Sequence, residues 1–184
     1  MSQVQELFKS QNQQPREFDF LLNKLNGLDL GPIAYKLKHP ESGNGWSQER
    51  VNGAIWRYMR FLCLISLYPN MAFVPTKEID RVWHHHVLDT GKYARDCQML
   101  FGNFLHHFPY FGLRGESDRL ALQTTFARTQ ELFQQHFGIP MTEEVAGDRS
   151  SNKPAGCHLL QGVTEEYRPT VALKFDPVTT LGMS

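Results

Sequence analysis

The feature that most constrains the fold is a helical repeat of apolar residues that follows Ser47. Side chains recur at intervals of three and four residues over about four turns, at Val51, Ile55, Tyr58, Phe61, Leu62 and Ile65. Ser47 supplies the side-chain oxygen of an N-cap, and the Tyr68-Pro69 dipeptide disfavours continuation of a helix. The segment therefore predicts a long helix with one buried face, against which other helices must pack.

Further segments repeat at the same spacing, within residues 16–26, 77–88, 92–108 and 118–137. Residues 28–45 are dense in Gly and Pro, which predicts a loop with one helical turn. The expected fold class is all-α, an irregular bundle of about five helices with a partly ordered C-terminal tail. We expect a helical domain over residues 1–140 and a polar, mobile or loosely docked tail over residues 141–184, where only residues 170–175 alternate as a strand does.

Composition limits the partners and the compartment. The 19 basic and 19 acidic residues balance, so no basic field favours nucleic acid or an anionic membrane. There is no apolar stretch of membrane-spanning length and no signal-peptide pattern, and three cysteines without paired spacing suit a reducing compartment. The expectation is a cytoplasmic protein whose partner is an unidentified protein or small molecule.

Histidines are concentrated in one part of the chain. Five of the eight lie within 24 residues, at His84, His85, His86, His106 and His107. Neutral imidazole is the commonest protein ligand for transition metals, and Cys97 adds a thiol between the two groups. We take His84, His86 and Cys97 as candidate ligands for a transition metal such as zinc or iron. Asp80, one helical turn before His84, and Asp96 are candidates to orient them.

Helical geometry works against the simplest form of that site. His84 and His86 point about 200° apart on a regular helix. A tight reversal at Asp89-Thr90-Gly91 would bring His86 against Tyr93 or Ala94, and Trp83 towards Cys97. His107, if it lay on the same helix as Cys97, would be about 15 Å further along the axis, which separates the two unless that helix bends.

A set of motifs resembles the core of a known family. Trp83-His84-His85-His86 fits W-H-x-H, and Tyr93, Asp96 and Cys97 fit Y-x-x-D-C, with Phe101-Gly102 next in order. The chain resembles the glycine-rich domain-containing protein-like family, as a bacterial-type stand-alone member without the glycine-rich C-terminal region of the plant proteins. The resemblance implies an uncharacterised module. It singles out Asp80, Trp83, His84, His86, Tyr93, Asp96 and Cys97.

Three functions are compatible with these residues. The first is a domain that binds a transition metal or a small ligand at the His/Cys/Asp cluster, with His107 as a further supporting residue. The second is a metal-free protein interaction module, in which Trp83, His86 and Tyr93 lock a helix pair and the cluster is structural. The third is metal-free acid/base catalysis by His84 and Asp80. Whether the protein is an enzyme, and on what substrate, does not follow from the sequence.

Overall fold

The computed structural model describes residues 20–21, 23–41, 43–142, 153–161 and 167–170. Helical residues at 20–26, residue 22 excepted, precede the named elements. These elements are α1 (Gly31–Lys38), α2 (Gln48–Leu67), α3 (Lys77–Leu88), α4 (Thr90–Phe101), β1 (Leu105–Phe108), α5 (Glu116–Phe137) and β2 (His158–Gln161). The described chain is mostly helical, which confirms the all-α prediction, and a single pair of short strands is added to it.

Helix α2 is the centre of the bundle. The Ser47 hydroxyl accepts a hydrogen bond from the backbone N–H of Arg50 at 3.2 Å, as expected of an N-cap. Val51, Tyr58 and Phe61 on its apolar face are fully buried. The helix packs against α1, α3 and α5, so its buried face organises the core as the periodicity predicted.

The prediction of a loop over residues 28–45 is wrong in its first half. Residues 31–38 form α1, whose first turn contains Pro32 and which buries Ile33 and Leu37. Proline is compatible with the first turn because the N–H it lacks has no partner within a helix there. Pro32, which favours a loop when only the sequence is considered, therefore lies in the first turn of a helix.

Helices α3 and α4 form a sharply turned pair. Thr76 caps α3 by accepting a hydrogen bond from the N–H of Ile79, and Asp89 ends α3 and accepts from the N–H of Lys92 at the start of α4. The break is a single residue, shorter than the predicted three. It brings the rings of His86 and Tyr93 to 4.9 Å between centroids, the contact that a tight reversal predicted.

The second helix of this pair is shorter than the repeat suggested. Gly102 adopts the left-handed conformation at φ 72° and ends α4, because Gly reaches this region without the steric cost of a Cβ. Residues 105–108, predicted to continue the helix, instead form β1, which pairs antiparallel with β2. His107 therefore lies on a strand that returns towards α3.

The last long helix, α5, spans Glu116–Phe137, and Gly138 caps its C-terminus in the left-handed conformation at φ 68°. The Asp118 carboxylate accepts hydrogen bonds from the N–H groups of Gly112 and Arg114 and closes the preceding loop. No helix in the described part of the chain is long and apolar enough to cross a bilayer.

Part of the C-terminal region lies against the helices. Ala155 and Cys157 are buried, and residues 158–161 pair with β1. The strand predicted over residues 170–175 falls outside the described residues, apart from residue 170. The domain division at residue 140 stays a prediction.

Candidate metal site

Helix α3 places two ligand types on one face. Asp80 and His84 are four residues apart, the spacing at which side chains on a helix lie one turn above each other. The Asp80 Oδ2 and His84 Nε2 atoms are 3.6 Å apart. The Thr76 cap fixes the start of the helix and with it the position of Asp80 in the first turn.

Strand β1 brings His107 to the same place. Leu105 and Phe108, at its two ends, are buried, which fixes the strand against the core. The His107 ring packs edge-on against the Trp83 ring, with 4.5 Å between centroids. His107 thus reaches α3 although 27 residues separate it from Asp80.

The three side chains converge at short distances. His107 Nε2 lies 2.9 Å from Asp80 Oδ1 and 3.0 Å from His84 Nε2. Ligand atoms of all three residues lie within 4.8 Å of one another. Among the described residues, Asp80, His84 and His107 are the group of His, Cys, Asp or Glu side chains, three or more in number, that meets this distance condition. At metal–nitrogen distances of about 2.0–2.1 Å, ligand atoms of one tetrahedral ion are separated by about 3.3 Å, close to these values.

The site is open on one side. The side chains of Asp80 and His107 are 16% and 11% exposed, whereas that of His84 is 52% exposed. Burial raises the pKa of Asp80, but hydrogen bonds from His107 and Cys157 and the charge of His84 outweigh it, and the pKa lies below its ordinary value. Burial lowers the pKa of His84 despite the opposing effect of Asp80. An ionised carboxylate and a neutral imidazole are the protonation states that a metal requires.

Cys157 reaches Asp80 from the C-terminal segment. Its thiol donates a hydrogen bond to Asp80 Oδ1, with 2.9 Å between Sγ and oxygen, and the side chain is buried. Burial, followed by the charge of Asp80, raises the pKa of this thiol well above its ordinary value. It is therefore a protonated donor beside the carboxylate.

His86, predicted as a ligand, lies in a different network. Its Nδ1 contacts the Tyr58 hydroxyl at 2.9 Å and its Nε2 contacts Asp96 Oδ2 at 2.8 Å, while Lys92 Nζ donates to the same carboxylate oxygen at 2.8 Å. The ring is 1% exposed. Both nitrogens are engaged, so the structure brings His86 and Asp96 together but separates them from His84.

Buried side chains connect α3, α4 and β1 to one another, namely those of Trp83, Tyr93 and Cys97. Trp83 Nε1 donates to the Tyr93 hydroxyl at 2.9 Å, and that hydroxyl donates to the carbonyl of Leu105 at 2.7 Å. Cys97 is buried beside Tyr93, and burial raises its pKa. These side chains hold the framework on which β1 presents His107, and Cys97 does not lie among the converging ligand atoms.

Two residues of these hydrogen-bond networks, Tyr58 and Cys157, could not be identified from the sequence pattern. Tyr58 reads as one apolar position of α2, and nothing in its spacing points to His86. Cys157 lies 77 residues from Asp80. One signal was available for His107: Gly102 lies within the apolar repeat, and a glycine is a common helix end. A helix that ends at Gly102 does not include His106 and His107, so helical geometry no longer separates them from α3.

Comparisons with known proteins cover this region. A family model described as UCP032817-like matches residues 36–136, more than half of the chain. Glycine-rich domain-containing protein 1 of Arabidopsis thaliana is 33% identical over 89 residues, which is 46% of this chain and 11% of the plant protein. The chain thus corresponds to a small part of that relative's length. No solved structure matched. Asp80, His84 and His107 lie inside the matched residues, and Cys157 lies beyond them.

Proposed function

The chain belongs to the UCP032817-like family, and we propose that it binds a transition metal, zinc or ferrous iron, through Asp80, His84 and His107. This set keeps His84 from the predicted ligands and replaces His86 and Cys97. The replacement is supported by the contacts of His86, whose two ring nitrogens are already hydrogen-bonded, and by the convergence of the other three side chains.

The proposal depends on the Nε2 atom of His107. This atom lies within hydrogen-bond distance of both Asp80 Oδ1 and His84 Nε2. A neutral imidazole nitrogen carries either one proton or one lone pair, so it can donate to the carboxylate or accept from His84, but not both. If His107 Nε2 accepts a hydrogen bond from His84, it cannot donate to Asp80, and its lone pair then faces the lone pairs of the carboxylate oxygen. A cation between the three atoms satisfies all of them at once.

The donor set indicates which metals fit. Two imidazoles and one carboxylate are the ligands of catalytic zinc sites with one open position, and of ferrous sites with a facial triad. The exposure of His84 leaves the metal accessible from solvent on that side. When bound, the metal would polarise an oxygen ligand or activate a water molecule there. Asp80 would supply negative charge, and the packing of His107 on Trp83 would fix the direction of its imidazole.

The direct test is metal content. Protein made without a histidine tag under metal-replete expression is expected to hold about one equivalent of zinc or iron by inductively coupled plasma mass spectrometry. His84→Ala and His107→Ala should lose it, because each removes one of three ligands.

His106→Ala is the matched control, since it removes the adjacent histidine, whose ring lies 4.9 Å from Phe104. Its metal content should equal that of the wild type. Substoichiometric metal in the wild type, or equal loss in the His106→Ala variant, would reject the site.

The alternative proposal is a metal-free interaction module. The feature that supports it is an apolar surface at which Tyr35 and Leu88 are 68% and 76% exposed and line a shared groove with Pro32 and His85. This function predicts that a protein partner binds equally with and without chelator. Metal-dependent binding of the partner would count against it.

A further inference from the structure

A segment near the C-terminus spans the two elements that carry the metal ligands. The N–H of Lys77 donates to the carbonyl of Lys153, and the N–H of Ala155 donates to the carbonyl of Pro75, each at 3.0 Å. These bonds attach residues 153–155 to the start of α3. The chain then continues into β2, which pairs with β1. The segment therefore contacts both the helix of Asp80 and the strand of His107.

Cys157 is the side chain of this segment that reaches the site. Its Sγ lies 2.9 Å from Asp80 Oδ1, the oxygen that is also 2.9 Å from His107 Nε2. The thiol is 2% exposed. It does not belong to the group of mutually close ligand atoms formed by Asp80, His84 and His107. Its place is on the carboxylate and not in the ligand set.

We propose that Cys157 is a positioning residue of the metal site, whose S–H bond to Asp80 holds the carboxylate in its ligating orientation, so that full affinity requires the docked segment 153–157. This inference rests on the proposed function. An Asp carboxylate rotates about its terminal bond unless a partner fixes it, and loss of such partners costs about 10–100-fold in metal affinity. The docked segment thereby contributes to the metal affinity of the site.

The coupling must act in both directions. If docking raises metal affinity, the metal raises the stability of docking by the same factor. The reporters are the N–H groups of Lys77 and Ala155, which are bonded only when the segment is docked. Zinc should slow their hydrogen exchange in the wild-type protein, whereas amides at the exposed N-terminal part of α5 should exchange at unchanged rates.

The experiment compares zinc affinity, by competition with a chromophoric chelator, in the wild type and three variants of the full chain. Cys157→Ala should weaken binding about 10–100-fold. Cys157→Ser keeps a donor and should restore most of the affinity. Cys63→Ala, the matched control, removes another fully buried thiol, on α2, and should leave affinity unchanged. Circular dichroism checks that each variant is folded.

Cobalt(II) absorption separates a positioning residue from a ligand. The cobalt-loaded wild type should show d–d bands without a sulfur-to-cobalt charge-transfer band, and such a band would overturn the proposal by making Cys157 a ligand. If the wild type binds zinc and Cys157→Ala binds it equally well, the proposal fails while the metal site stands. Exchange at Ala155 that is insensitive to zinc also overturns it. If the wild type binds no zinc, the proposed function fails, and this inference fails with it.

Discussion

Replacement of His86 by Ala tests whether this histidine is structural or a ligand. Its ring is 1% exposed and joins the Tyr58 hydroxyl on α2 to the Asp96 carboxylate on α4. Loss of the hydroxyl bond costs about 1 kcal/mol and loss of the charged bond about 2 kcal/mol. The space left by the ring adds about 1 kcal/mol. We expect the free energy of unfolding to fall by about 4 kcal/mol.

Urea unfolding followed by circular dichroism measures this loss, and metal content is measured on the same samples. The variant should keep its metal, because His86 lies outside the group of Asp80, His84 and His107. Tyr58→Phe provides the matched comparison. In that background His86→Ala should cost about 1 kcal/mol less than in the wild type, because the hydrogen bond is already absent.

Two results would refute this account of His86. The first is a loss of metal in His86→Ala, which would return the residue to the ligand set. The second is a destabilisation below about 1 kcal/mol, which is incompatible with removal of a buried ring that has two hydrogen bonds.

Two further predictions concern pH and backbone conformation. Burial lowers the pKa of His136, whose Nε2 contacts the Tyr68 hydroxyl at 2.6 Å. Below about pH 6.5 the unfolded chain therefore binds more protons at this residue than the folded chain does. The stability that the neutral His136 contributes is present above that pH and is lost as pH falls towards the pKa of the folded state. Urea unfolding from pH 8 to pH 5 should show a flatter decline in His136→Gln than in the wild type, and parallel curves would contradict this. Gly102→Ala should lower the free energy of unfolding by about 1 kcal/mol, because φ is 72° and only conformational strain is added, with no heavy atom within 4 Å of the new Cβ. Gly91→Ala, in the first turn of α4, should raise it by about 0.5 kcal/mol, and the opposite order of these two variants by thermal melts would be evidence against the assigned backbone geometry.

Local sequence signals predicted much of the helical framework. Ser47 caps α2 as expected, and the helix ends at Leu67, directly before the Tyr68-Pro69 dipeptide. Each of these features depends on a few neighbouring residues, so the sequence alone carries the information. Pro32 and Gly102 were misread for a related reason. Proline begins a helix as readily as it ends one, and the apolar spacing of residues 104–108 continues that of residues 93–101 across Gly102, where the helix ends.

The sequence also indicated which part of the chain contains the candidate site. The histidine cluster and the Asp80/His84 spacing on one helix face are visible without a structure, because a helix turns by a fixed angle per residue. The same fixed angle separates His84 from His86. The approach of His86 to Tyr93 followed from the break between α3 and α4, where the chain reverses within a single residue.

Only the tertiary structure decided which histidine joins His84. His107 meets Asp80 because Gly102 ends α4 and β1 returns to α3, and Cys157 meets Asp80 because the C-terminal segment pairs with β1. These contacts link residues 27 and 77 positions apart in the chain. Periodicity reports the direction of a side chain relative to its own element, whereas the meeting of two elements is set by how their buried faces pack. The sequence by itself determined the long helices and the histidine-rich region, but not α1 or β1, and packing selected the three side chains that converge there.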